Sequence, residues 1–276
     1  MGRLFSKPTY RVSLFALTIA ICAPVIAAAT DQQTQVPTPP QTVINTPESL
    51  ISLTDSSPGD LEHQGDLLRG QKRYLDAMDY YNAAIAKEAT AIRYNKLGMA
   101  YLFLQRSKDA EKAFNQALKM NPQCAEALNN RGFVEQIKKN YGKSSKYYEK
   151  ALAIRPNAPT FHYNLASVYF ARHKYDEAAQ EYRTAYQLDP DIFNRVSRMG
   201  VMAQTSSPED RAAFSFMVAK MYAQAGDFDH CLEYLRKAME EGYKSIDKVY
   251  TDSEFATMRT DKRFATLMVQ KPQAIQ

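Results

Sequence analysis

The chain has few of the residues that catalytic and metal sites commonly require. Its 276 residues include four histidines, three cysteines and ten glycines. No histidine lies three or four positions from another histidine or a cysteine, the spacing that places two metal ligands on one helical face. A glycine-rich phosphate loop and a Gly-x-Ser-x-Gly nucleophile turn are both absent. The sequence therefore predicts a protein that is not an enzyme and that needs no metal or cofactor.

The charge of the chain gives no reason to expect nucleic-acid binding. The formal net charge is +5, but Arg3, Lys7 and Arg11 come before the first acidic residue. Without residues 1–29 the net charge is +2. A protein so close to neutrality does not have the overall basic charge on which non-specific nucleic-acid binding depends. We therefore expect no nucleic acid among its partners.

The first 29 residues have the pattern of a secretory signal peptide. Three basic residues precede residues 12–29, an uncharged and mostly apolar run that ends in three alanines. Small residues at this place are typical of a cleavage site, so we expect export to the periplasm or cell envelope. The alternative is an uncleaved inner-membrane anchor through residues 12–29, because about 18 apolar residues can just span a bilayer.

Residues 91–190 repeat one pattern three times at a period of 34 residues. Small, aromatic and proline residues return at fixed places in each unit. The successive equivalents are Gly98, Gly132 and Ala166; Tyr101, Glu135 and Tyr169; Ala110, Ser144 and Ala178; Phe114, Tyr148 and Tyr182; Ala117, Ala151 and Ala185; and Pro122, Pro156 and Pro190. A fixed period of this length predicts a helical solenoid.

The spacing within each unit predicts two packed helices. Leu97, Gly98 and Tyr101 share one helical face, and Ala110, Phe114 and Ala117 share a face on a second helix. The small residues allow close approach of the two backbones, and the aromatic residues fill the space between units. The closing proline has no N–H group and ends the helix. One such pair cannot bury its apolar face alone, so we expect neighbouring pairs to stack.

This pattern resembles the tetratricopeptide repeat family. The resemblance implies an all-α fold, a right-handed superhelical solenoid of antiparallel helix pairs. It also implies that the first helix of each pair lines a concave groove that binds peptides. It does not imply the identity of a partner.

The chain divides into segments by composition and by the repeat. We predict a signal peptide or membrane anchor at 1–29, a disordered Thr/Gln/Pro tether at 30–57, repeats one to four at 58–190, an irregular insertion at 191–211, a fifth repeat at 212–245 and a C-terminal helical cap at 246–270. An alternative register pairs residues 193–203 with 210–223 as one repeat. Cys124 and Cys231 lie about three repeats apart, which is too far for a disulfide.

Residues of the first helices that the packing pattern does not use are the candidates for partner binding. We predict a groove lined by Asn95, Lys96, Met99, Phe103, Asn130, Phe133, Tyr163, Asn164 and Phe170. Asn130 and Asn164 are equivalent, with Asn95 one residue out of phase, and a side-chain amide can both donate to and accept from a peptide backbone. Together with Ile137, the apolar members would form an exposed stripe, which is typical of interaction sites.

These features predict a non-enzymatic scaffold of the cell envelope that binds a peptide or a segment of a partner protein in its groove. One alternative is a membrane-anchored assembly factor of a secretion, pilus or outer-membrane complex that acts through its convex face. A further alternative is an accessory module of an envelope enzyme. The sequence predicts no oligomeric state.

Overall fold

The computed structural model describes residues 51–193 and 207–272. The predicted signal peptide, most of the predicted tether and most of the predicted insertion lie outside the described residues. Within these two ranges the chain forms α-helices and short 3-10 turns and no β-strand. The helices are α1 (Pro58–Gly70), α2 (Tyr74–Lys87), α3 (Ala91–Phe103), α4 (Ser107–Met120), α5 (Ala125–Ile137), α6 (Tyr141–Ile154), α7 (Pro159–Ala171), α8 (Tyr175–Leu188), α9 (Pro208–Ala225), α10 (Phe228–Glu240) and α11 (Lys262–Gln270).

The first four helix pairs have the same construction. In each pair a helix of 13 residues is followed by three linking residues and a helix of 14 residues. The middle linking residue has a left-handed backbone, with φ of 62° at Lys72, 58° at Gln105, 60° at Lys139 and 58° at His173. This conformation costs a residue with a Cβ atom about 1–2 kcal/mol. The turn is therefore set by the packing of the two helices rather than by a preference of its own residue.

Close packing within a pair depends on a missing side chain. A Cβ atom placed on Gly98 of α3 would overlap the ring of Phe114 on α4. The same contact recurs one unit later, where a Cβ atom on Gly132 would lie 2.8 Å from the ring of Tyr148. The glycines and aromatic residues that the sequence pattern singled out thus form the contact between the two helices of a pair.

Neighbouring pairs stack in chain order. The second helix of each pair packs on the first helix of the next, as α2 on α3, α4 on α5 and α6 on α7. The first helices also contact one another, α3 with α5 and α5 with α7. We call the side of the array lined by α1, α3, α5 and α7 the inner face, and the side lined by α2, α4, α6 and α8 the outer face. The predicted all-α solenoid of stacked helix pairs is confirmed.

The contact between α4 and α5 includes a buried charged network beside its apolar clusters. The guanidinium of Arg131 donates to Glu135 at 2.7 Å, to Glu111 at 2.5 Å and to the side-chain oxygen of Asn115 at 2.9 Å. Glu135 is only 3% exposed and replaces the tyrosine found at this place in the adjacent units. Its second carboxylate oxygen accepts from Asn140 at 2.8 Å, so the buried charge is fully paired on both oxygens.

A fifth pair, α9 and α10, follows residues 194–206. Helix α9 begins at Pro208, inside the segment predicted as an insertion, because the Ser207 hydroxyl accepts from the backbone N–H of Asp210 and caps the helix. It ends at Gly226, whose φ of 75° suits glycine. Helices α9 and α10 pack directly on each other. The residues 194–203 of the alternative register lie outside the described ranges.

The C-terminal residues cover the fifth pair. Three 3-10 turns (Ile246–Tyr250, Ser253–Phe255 and Met258–Thr260) lead into α11. Their apolar residues join the same buried cluster as Phe216 of α9 and Leu235 of α10, namely Val249, Phe255, Met258, Phe264, Leu267 and Met268. No helix in the described ranges is both long enough and apolar enough to cross a membrane. Cys124 and Cys231 are buried free thiols.

Candidate functional site

Polar side chains link the first helices across the inner face in a regular way. The fifth and sixth residues of these helices are equivalent from pair to pair. In three successive pairs the sixth residue donates to the fifth residue of the preceding pair. The three links run from Lys96 Nζ to Glu62 Oε1 at 2.5 Å, from Asn130 Nδ2 to Asn95 Oδ1 at 2.9 Å and from Asn164 Nδ2 to Asn129 Oδ1 at 2.9 Å.

A fourth bond joins two of these links into one chain. Asn129 Nδ2 donates to Asn130 Oδ1 at 3.2 Å, so the amides connect in the order Asn164, Asn129, Asn130 and Asn95. We call these four residues the amide ladder. It spans three repeats, and each bond polarises the next in the same direction. The sequence also predicts Asn129 as a groove candidate of the third repeat, and its position 34 residues after Asn95 makes the two residues equivalent.

The amide ladder leaves bonding capacity for a partner at two of its four members. Asn95 and Asn129 are 7% and 6% exposed, whereas Asn130 and Asn164 are half-buried. A side-chain amide has two N–H donors. The bonds within the ladder use one donor each of Asn130 and Asn164. The second donor of each is therefore not used within the ladder.

Lys96 is held by acidic residues of the first pair. Its Nζ lies 2.5 Å from Asp66 Oδ2 in addition to its bond with Glu62. Burial lowers the pKa of Lys96, but the hydrogen bonds that its ammonium donates to the two carboxylates outweigh burial and raise it. Glu62 also accepts from Arg93 at 2.9 Å. Lys96 thus closes the N-terminal end of the polar links, and a role in binding a partner stays a prediction.

The predicted apolar stripe divides into exposed and packed residues. Phe103 is 43% exposed and stacks on Tyr74 with ring centroids 4.6 Å apart. Ile137, its equivalent in the next pair, is 49% exposed. Met99 and Phe133 are half-buried in the contacts between repeats, Met99 in a cluster with Phe114 and Val134, and Phe133 in a cluster with Tyr148, Leu165 and Val168. The exposed apolar surface on the inner face is therefore centred on Phe103 and Ile137.

Tyr163 and Phe170 do not lie on the exposed inner face, which corrects the predicted lining of the fourth repeat. They are 4% and 6% exposed. Tyr163 packs edge-on against Phe193, and Phe170 packs edge-on against Phe214 of α9 at 5.9 Å. The fifth pair therefore covers this part of α7. The sequence alone did not show this cover, because it did not settle where α9 lies after residues 194–206.

The described residues contain no group of three or more His, Cys, Asp or Glu side chains arranged to hold a metal ion. Two buried hydroxyls, those of Tyr182 and Tyr222, have no hydrogen-bond partner among the described residues. Burial raises the pKa of Tyr182 well above its ordinary value, so the hydroxyl stays protonated. The inner face thus offers amides, exposed apolar side chains and paired charges, which can bind a polypeptide through hydrogen bonds and apolar contact.

Models of tetratricopeptide repeats match two overlapping parts of the chain, residues 95–136 and residues 123–191. Tetratricopeptide repeats are therefore confirmed for residues 95–191. A curated relative, tetratricopeptide repeat protein 6 of Homo sapiens, is 22% identical over 125 residues, which are 45% of this chain and 24% of the relative. The chain thus spans about a quarter of that relative's length.

Several solved structures are similar to this chain at low sequence identity. The pilF protein of Pseudomonas aeruginosa is 17% identical with a TM-score of 0.48, covering 75% of this chain and 83% of its own. MamA is 17% identical with a TM-score of 0.45, covering 71% and 95%. The first repeat domain of Spaghetti (RPAP3), bound to an HSP90 peptide, is 22% identical with a TM-score of 0.41, covering 42% and 94%.

Proposed function

We propose that this chain is a non-enzymatic scaffold whose inner face binds an extended segment of a partner protein. One observation supports this more than any other. On two successive first helices a half-buried polar side chain and an exposed apolar side chain stand seven residues apart, Lys96 with Phe103 and Asn130 with Ile137. Seven residues are close to two helical turns, so both side chains point to the same side. The inner face is therefore polar along one edge and apolar along the other.

This arrangement suits an extended peptide that crosses the first helices. The free donors of Asn130 and Asn164 bond the backbone of the peptide, which requires no particular sequence. Its apolar side chains rest on Phe103 and Ile137, where burial contributes about 25 cal/mol per Å² of apolar surface removed from water. The amide ladder holds the two donors in place before binding, which lowers the entropy cost of association.

We further propose that the protein works in the cell envelope. The support for this location is the sequence of residues 1–29, with its basic start, its apolar run and its alanine end. If residues 12–29 are retained, they tether the repeats to the inner membrane. Mass spectrometry of the protein from the envelope fraction checks this proposal: a mature chain beginning at Thr30 supports a cleaved signal, and an intact N-terminus supports an anchor.

Site-specific photocrosslinking in intact cells tests the binding face. A benzoylphenylalanine placed at Phe103 or Ile137 reports on the inner face, and one placed at Val269, which is 86% exposed on α11, is the control. We expect one discrete crosslinked product from the inner-face positions and none from the control. The substitutions Asn130→Ala and Asn164→Ala together should remove that product. The proposal is wrong if the product persists in the double variant or forms equally well from position 269.

A further inference from the structure

Charge is distributed unevenly along the repeats. Residues 125–158 contain seven Lys and Arg and three Glu, which gives a net charge of +4, and residues 91–124 also carry +4. The flanking units, residues 58–90 and 159–192, each carry −2. The net charge of +2 for the chain without residues 1–29 therefore conceals a basic centre between two acidic units.

Three cations of the third unit and one of the fourth line a depression beside α6. The depression lies at the N-terminal end of α6, and its basic lining residues are Lys139, Lys143, Lys146 and Arg172. All four are exposed, and none forms an ion pair within the described ranges. The remaining lining residues, Asn140, Tyr141 and Gly142, are not acidic. This depression is therefore a concentrated positive surface without a counter-charge in its lining.

In the other three units, an ion pair neutralises the charge at the equivalent turn. A cation that precedes the second helix pairs with an acid three residues later, Arg73 with Asp76, Arg106 with Asp109 and Lys174 with Glu177, at 2.7 to 2.8 Å. In the third unit the equivalent residues are Asn140 and Lys143. A lysine thus stands where the other units have an acid, and the local pair is replaced by excess positive charge.

A second, apolar depression lies farther along α6. It is lined by Leu118, Pro122, Gln123, Leu128, Tyr147, Lys150, Ala153 and Ile154. Lys143, Lys146 and Lys150 follow one another along the exposed side of α6, because residues three and four apart share a helical face. They lead from the basic depression to the apolar one. Eleven residues separate Lys143 from Ile154, which corresponds to about 16 Å of helix.

We infer that this outer face of α6 binds an acidic, extended segment of a partner protein. Carboxylates of the segment occupy the basic depression, and an apolar side chain occupies the second one. A distance of about 16 Å corresponds to about five residues of extended chain. The expected segment therefore has two or three consecutive acidic residues and an apolar residue about five positions away. This surface is separate from the inner face of the proposed function.

The observations favour a peptide over nucleic acid or a membrane. The basic centre is bounded by units of net charge −2, which would repel a long polyanion that runs past them. The apolar depression accepts a side chain such as leucine, which a nucleic acid lacks. A membrane surface is bound by protruding apolar side chains, whereas these apolar residues line a concavity. Glu149 is the acidic residue of α6, and its carboxylate accepts a hydrogen bond from the Tyr169 hydroxyl at 3.4 Å.

A binding titration with a defined peptide tests the inference. The probe is a fluorescein-labelled peptide of three glutamates, two glycines and one leucine, titrated with the full chain at low ionic strength and followed by anisotropy. The double variant Lys143→Glu, Lys146→Glu should weaken binding by at least about tenfold, since attraction becomes repulsion at two sites. The matched control, Lys244→Glu, reverses an exposed lysine after α10 and should leave binding unchanged. A peptide with glutamine in place of glutamate should also bind at least about tenfold more weakly.

Several outcomes would overturn the inference. These are the absence of binding to the wild-type chain, equal weakening by the control variant, or tighter binding to phosphatidylglycerol vesicles or single-stranded DNA than to the peptide. Circular dichroism should show unchanged helix content for each variant, because the substituted side chains are exposed. The inner-face substitution Phe103→Ser should not affect this titration, so failure here and failure of the proposed function can be told apart.

Discussion

Tyrosine-to-phenylalanine substitution at one repeat position should change stability with opposite sign in two units. Tyr148 and Tyr182 are equivalent, and they are 0% and 1% exposed. The Tyr148 hydroxyl donates to Gln136 Oε1 at 2.9 Å. In the fourth unit the residue equivalent to Gln136 is Phe170, and the Tyr182 hydroxyl has no partner in the described part of the chain. The loss of the hydroxyl therefore breaks a bond at one site and removes an unsatisfied group at the other.

The expected changes in the free energy of unfolding follow from whether each tyrosine hydroxyl forms a hydrogen bond. Tyr148→Phe should lower the free energy of unfolding by about 1 kcal/mol, the net contribution of one buried bond. Tyr182→Phe should raise it by about 1 kcal/mol, because an unpaired buried hydroxyl carries a desolvation cost of about 1–3 kcal/mol. Tyr81→Phe is the matched control, since that hydroxyl donates to Asp66 at 2.8 Å and should behave like Tyr148.

Urea unfolding followed by circular dichroism at the helical band measures these changes. The transition midpoints should fall in the order Tyr182→Phe above wild type, with Tyr148→Phe and Tyr81→Phe below it. If Tyr182→Phe destabilises the chain as much as Tyr148→Phe does, the Tyr182 hydroxyl has a partner in the folded protein. That result would refute the claim that Phe170, which stands where the third unit has Gln136, leaves the Tyr182 hydroxyl without a hydrogen-bond partner.

Other predictions concern the turns, the glycine contacts and the charged interface. Gly98→Ala should destabilise the chain by about 1–3 kcal/mol through overlap with an aromatic ring, whereas Gly142→Ala, with no atom within 4 Å, should be neutral or stabilising in the same urea unfolding assay. Gln105→Gly should raise the thermal midpoint, because glycine relieves the left-handed strain at a net gain of about 0.5–1 kcal/mol; a lower midpoint would contradict this. Although burial raises the pKa of Glu135, its bonds to Asn140 and Arg131 outweigh burial and lower the value below the ordinary 4.5. Its stabilising contribution is therefore present above pH 4.5 and lost as pH falls through the lowered pKa. Urea unfolding should be measured from pH 7 to pH 3 for the wild-type chain and for Glu135→Gln. At pH 7 the free energy of unfolding of Glu135→Gln should be lower than that of the wild-type chain by about 3 kcal/mol, and this difference should shrink as the pH falls. A difference that stays constant with pH would contradict the prediction.

The period of 34 residues was sufficient to predict the solenoid and most of its packing. Gly98 and Phe114 meet as their spacing indicated, because the close approach of two helices requires a small residue facing a large one. The start of α9 also rests on a local pattern, since Ser207 followed by Pro208 and an acidic residue favours a helix N-terminus. These features depend on residues that lie within one helix pair or at one helix end.

The parts of the site that could not be predicted depend on distant contacts. The cover over Phe170 comes from Phe214, more than forty residues later in the chain. The bond between Asn164 and Asn129 depends on the rotation of one repeat relative to the next, which determines whether equivalent or adjacent positions meet. The sequence places Asn95 one residue out of phase with Asn130, although Asn95 is the acceptor to which Asn130 donates. The role of the remaining lining residues in partner binding stays a prediction.

A titration with the partner segment found by crosslinking tests the central claim most directly. The segment would be synthesised and titrated by calorimetry against the wild-type chain, the inner-face variant Asn130→Ala, Phe103→Ala and the outer-face variant Lys143→Glu, Lys146→Glu. We predict at least about a tenfold loss of affinity for the inner-face variant, the equivalent of about 1.4 kcal/mol, and no change for the outer-face variant. Equal affinity of the inner-face variant and the wild-type chain would contradict the claim that the inner face binds the partner.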